Sequence, residues 1–112
     1  MSEARVSFRI GNLAIADDRR EMREDVHYRA RAFGPDARQL TFLVVNISPH
    51  GLMARCDTPF EVGDRLRVVL PSAGPVVAEV RWSLGGRLGA QFDPAIDLAA
   101  YYELIAVMVK GK

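Results

Sequence analysis

Cysteine occurs once in these 112 residues, at Cys56, and histidine twice, at His27 and His50. One thiol excludes an internal disulfide. Three nitrogen or sulfur ligands also fall short of the four that close a structural zinc site. No metal and no cofactor is expected, and the lone thiol fits a reducing, cytoplasmic setting. No stretch approaches the roughly eighteen apolar residues of a membrane span. The N-terminus carries Glu3 and has no long apolar core, so it does not read as a signal peptide. An excess of either charge is missing too. The formal net charge is +1, so no global field draws the chain to nucleic acid or acidic lipid, and any anion site has to be local. Lysine is absent from the first 109 residues, where every basic side chain other than the two histidines is arginine.

What is present suits one globular domain. A chain of this length buries roughly two-thirds of its unfolded surface, and 49% hydrophobic with 26% charged residues is ordinary for such a domain. Period-two patterning dominates. Val26, Tyr28, Ala30 and Ala32 alternate with His27, Arg29 and Arg31, and Gly34-Pro35-Asp36 ends that run. Leu40–Val45 and Gly51–Cys56 flank a second turn, and Leu66–Leu70 follows a connection through Gly63-Asp64. The runs 76–82 and 88–92 flank Gly85-Gly86, a hairpin signal. Six short strands so closely spaced predict a small six-stranded antiparallel β-barrel, since closure leaves no exposed edge.

Beyond Asp93-Pro94 the period changes. Leu98, Tyr101, Tyr102, Leu104, Ile105 and Met108 fall at helical spacing behind Asp97, a candidate N-cap. The expected class is therefore all-β with a C-terminal helix. An arginine-bearing loop spans 17–25, the barrel 26–92 and the helix 97–110, all within one domain over 17–112. Residues 1–16 form an N-terminal segment whose structure the pattern does not decide.

Catalytic signatures are missing. Cys56 ends a strand with core-like neighbours, which predicts an inert buried thiol rather than a nucleophile. Ser48 lacks a nucleophile-elbow context. Acids beside arginines have their pKa values pushed down, the wrong direction for a general acid. No enzyme is expected. Trp82, closing an apolar strand, reads as a core anchor.

Two polar stretches remain. Asn46-Ile47-Ser48-Pro49-His50-Gly51 packs an amide, a hydroxyl, a proline, a histidine and a glycine into one expected turn. Asn and Ser hold backbone N–H groups there, and glycine allows a left-handed residue or the close approach of a ligand. Upstream, Arg19-Arg20-Glu21-Met22-Arg23 sits in a run of charge. Arginine's planar fork pairs with phosphate and with the guanine edge. A solvated loop and the arginine preference of a GC-rich genome account for the same run, so the residues alone leave its role open.

Together these stretches resemble the PilZ domain, the bacterial receptor for cyclic di-GMP. Arg19 and Arg23 supply R-x-x-x-R, while Asn46, Ser48 and Gly51 supply D/N-x-S-x-x-G, in the family's order and across a similar gap. The resemblance runs over residues 17–109. It implies that Arg19 and Arg23 clamp guanine and phosphate, with Arg20 an additional contact. It further implies that Asn46 and Ser48 hydrogen-bond the ligand and that Gly51 leaves clearance. His50 stands where the family often has glycine and is a possible further contact on a more crowded surface. In an extended loop, residues four apart reach up to roughly 13 Å, enough to span a base and a phosphate. The implied function is a cyclic di-GMP receptor whose ordered loop alters contact with a downstream protein partner. A PilZ-like interaction module that binds no nucleotide is the alternative. A single-strand nucleic-acid barrel would need a broad basic groove with exposed aromatics, so neither DNA nor RNA is expected as a partner.

Overall fold

A computed structural model describes residues 23–110. Arg19, Arg20, the segment 1–16 and most of the expected arginine loop lie outside the described residues. Six strands follow in order: β1 (Glu24–Phe33), β2 (Gln39–Ser48), β3 (Gly51–Arg55), β4 (Arg65–Leu70), β5 (Gly74–Leu84) and β6 (Arg87–Phe92). Helix α1 (Leu98–Lys110) comes last. All pairings are antiparallel, and the order β1-β2-β3-β6-β5-β4 closes where β4 meets β1. The expected six-stranded barrel with a C-terminal helix is the observed fold. β1 begins earlier than its alternation predicts, because Glu24 and Asp25 pair with Ile47 and Asn46 of β2.

Alternation fills the interior, as small inward residues leave room for large ones. Ala30 sits across from Phe42 and Ala32 across from Leu40, and Leu66, Val68, Leu70, Val80, Leu88 and Phe92 complete the packing. Cys56 is buried and free. Between β5 and β6, Gly85 and Gly86 have φ of 61° and 80°, the paired positive values of a two-residue type I′ hairpin. Asp97 caps α1: its carboxylate accepts from the Ala100 N–H at 3.3 Å. The helix turns Tyr101, Leu104 and Met108 into the core. The Tyr101 hydroxyl donates to the Ile47 carbonyl at 3.1 Å, which ties the helix to the end of β2. No helix among the described residues is long and apolar enough to cross a membrane.

The hexapeptide is more rigid than a turn. Asn46, Ile47 and Ser48 belong to β2, Gly51 opens β3, and only Pro49 and His50 form the loop. Proline's fixed φ excludes the primed turns that such a short loop prefers. The Ser48 hydroxyl compensates by accepting the His50 N–H at 3.1 Å. The loop is also pinned from outside. Phe92 N–H donates to the His50 carbonyl and Ile96 N–H to that of Pro49, each at 2.8 Å. Of the two roles glycine allows at position 51, the left-handed residue is not the one adopted. It is required because a Cβ there would be driven into the Ala90 carbonyl of β6.

Three register shifts interrupt the ladders. One lies in β1 between Asp25 and Tyr28; the other two, in β2 between Val44 and Asn46 and in β5 between Val80 and Trp82, turn side chains over. By simple alternation Asn46 would follow Val44 inward, and Trp82 would follow Val80. An extra residue in each strand, Val45 and Arg81, reverses the face. Trp82 is therefore not the core anchor expected of it: it is 39% exposed, because the β-bulge everts it.

Since the Ala90 carbonyl is backbone in a closed sheet, Gly51→Ala should destabilise the domain by about 1–3 kcal/mol. Urea unfolding followed by circular dichroism measures this, and wild-type stability would contradict the packing argument.

Candidate functional site

The everted residues share one line. Across the outer face Asp25 of β1 pairs with Asn46 of β2, Asn46 with Met53 of β3, Met53 with Gly89 of β6, and Gly89 with Trp82 of β5. Four strand spacings separate the ends, roughly 19 Å. This row is part of the wall of an open groove of about 1360 Å³, whose lining also includes Arg23, His50, Gly51, Arg81, Gln91, Ile96 and Leu98. That volume exceeds the roughly 300–1,000 Å³ of ordinary small-molecule pockets.

At one end, polar groups form a chain. The Arg23 guanidinium donates from Nη1 to the Asn46 carbonyl oxygen at 2.8 Å. The Asn46 amide nitrogen in turn donates to Asp25 Oδ1 at 3.1 Å. A cation on one side and an anion on the other fix which way the amide points. At the other end the Trp82 indole lies across Gly89, occupying the space a Cβ would take. The indole is thus a flat apolar surface beside the half-buried Met53, with Arg81 next to it on the lining. Two arginines against one carboxylate make the described charge of the groove net positive, although the whole chain is nearly neutral.

The sequence-predicted residues are distributed unevenly. Arg23, Asn46, His50 and Gly51 all line the groove. Ser48 does not. It is fully buried, and its hydroxyl oxygen is turned to the backbone of the loop. Arg19 and Arg20 lie outside the described residues. Asp25, Met53, Arg81 and Gln91 line the groove without having been expected at a site, and Trp82, expected in the core, lines it as well. One signal for Trp82 was present: Gly89 inside a strand pattern marks a close approach by another group. For the others no signal existed short of the strand register. Among the described residues no cluster of three or more His, Cys, Asp or Glu side chains is placed to hold a metal.

The arrangement offers a cationic fork, an oriented amide, a carboxylate and an aromatic plane along one wall. These are the groups that recognise a planar, hydrogen-bonding, anionic molecule. The PilZ domain family model matches residues 17–109. No curated protein matches the chain.

Trp82 is the only tryptophan, so its emission reports the groove directly. Gly89→Ala should lift the indole from its seat and shift the emission maximum to the red while the far-ultraviolet dichroism stays unchanged. An unaltered spectrum would mean that the indole does not rest on Gly89.

Proposed function

The chain belongs to the PilZ domain family, and we propose that within it this protein is a receptor for cyclic di-GMP. The observation that carries this reading is the single outer row from Asp25 to Trp82, with Arg23 fastened to Asn46 at one end. Cyclic di-GMP combines two phosphates with two guanines. Arg23 suits a phosphate or a guanine edge, the Asn46 amide suits base or phosphate hydrogen bonding, and the Trp82 face suits stacking. Arg19 and Arg20 join Arg23 from upstream as the arginine clamp. Gly51 contributes the close β3–β6 contact at the groove floor, and Ser48 acts one step removed, by holding the Pro49-His50 loop. His50 stands at the rim.

Binding involves an exchange of partners. In the free protein Arg23 is engaged with Asn46, whose amide nitrogen donates to the Asp25 carboxylate. The ligand takes over the Arg23 fork, and the arginine segment is ordered against the barrel. A downstream protein then meets a different surface. Charge-assisted hydrogen bonds are worth about 1.5–3 kcal/mol each, enough to order a short segment. The protein acts as a binding module rather than an enzyme.

Calorimetric titration with cyclic di-GMP tests the reading. Saturable binding by the wild type should weaken roughly 10- to 100-fold in Arg23→Ala. Trp82→Ala should lose about 10-fold through stacking. Asp25→Asn keeps the acceptor for Asn46 and removes the opposing charge, so it should tighten binding several-fold. Equal binding by Arg23→Ala and wild type, or silence of both at micromolar ligand, would sink the proposal. Silence together with protein capture in a pull-down would favour the interaction module instead.

A further inference from the structure

Helix α1 lacks the polar face that a solvent-facing helix needs. Its inner side is spent on the core by Tyr101, Leu104 and Met108. Its outer side carries Leu98 at 52%, Tyr102 at 57% and Val109 at 49% exposure. With half-buried Ile105 between them, these positions are spaced four, three and four, the seam pattern of two packed helices. Ala99 and Ala106, both exposed, border the seam seven residues apart and leave room for a second backbone to come close. Glu103 is the only charge between Asp97 and Lys110.

We infer that this face pairs two copies of the chain, helix against helix and antiparallel. The charge pattern selects the occupant. With one acid on the outer face and a whole-chain charge of +1, a strongly charged partner finds little to engage, whereas two copies do not repel each other. The helix dipoles select the direction: antiparallel copies set opposite ends of the two dipoles side by side, and parallel copies set like ends together. The contact is isologous, the commonest symmetry of soluble oligomers. A seam on one helix about 20 Å long covers less than the roughly 800 Å² per partner of a standard interface. The dimer is therefore concentration-dependent, with micromolar affinity.

The test uses ligand-free full-length protein, so its outcome is independent of cyclic di-GMP binding. Sedimentation equilibrium from about 1 to about 300 µM should show the mass rise from 12.4 kDa toward twice that value. Tyr102→Glu and Val109→Glu should each raise the dissociation constant roughly 100-fold, with circular dichroism confirming the fold. Leu84→Glu, on the distant and 79% exposed β5 end, should change nothing. Mixing Ala99→Cys with Val109→Cys under mild oxidation should give an interchain disulfide that neither variant forms alone. A monomer throughout the range, a dimer that survives Tyr102→Glu, or cross-linking of Ala99→Cys to itself overturns the inference.

Discussion

The outward placing of Asn46 and Trp82 depends on two β-bulges. A regular six-stranded barrel of this size alternates strictly, and Asn46 and Trp82 both hold the parity of inward residues. An unpartnered amide in that small core would cost on the order of 1–3 kcal/mol, and an indole would overfill it. One extra residue in β2 and one in β5 turn both side chains out and set them on one cross-strand row. Their place in the groove wall follows from that reversal. Glycine at position 89 finishes the arrangement, because the everted indole then has a flat seat across the neighbouring strand.

Around this row the barrel supplies rigidity that a loop alone would lack. Pro49 and His50 are tied from within by the Ser48 hydroxyl and from without by the backbone of residues 92–96. Gly51 brings β3 against β6 so closely that no side chain fits. The polar stretch Asn46–Gly51 thus divides its labour. Asn46 faces the groove, Gly51 sets its floor, and Ser48 is fully inside and fixes the corner. Three residues that look alike as a polar signature carry three different physical duties.

Charge is managed locally. Among the described residues the groove gathers Arg23 and Arg81 and one opposing carboxylate, Asp25, which Asn46 links to Arg23 in a short polar chain. Helix α1 is apolar on both sides, inward against the barrel and outward along the exposed 98–109 seam.

The amino-acid sequence determined the six strands, the glycine hairpin and the capped helix, because each rests on local periodicity and turn chemistry. Of the apolar helical stripe it marked, Tyr101, Leu104 and Met108 are buried, whereas Leu98 and Tyr102 stand exposed. It also carried Arg23, Asn46 and Gly51 as one motif pair. It misplaced Trp82 and gave no hint of Asp25, Met53 or Gln91. Those belong to tertiary structure for one reason: a bulge is a property of two paired strands, and a register shift of one residue reverses the face of all that follows. Which side chains share a row is decided only when the barrel closes and five strands are held in fixed register.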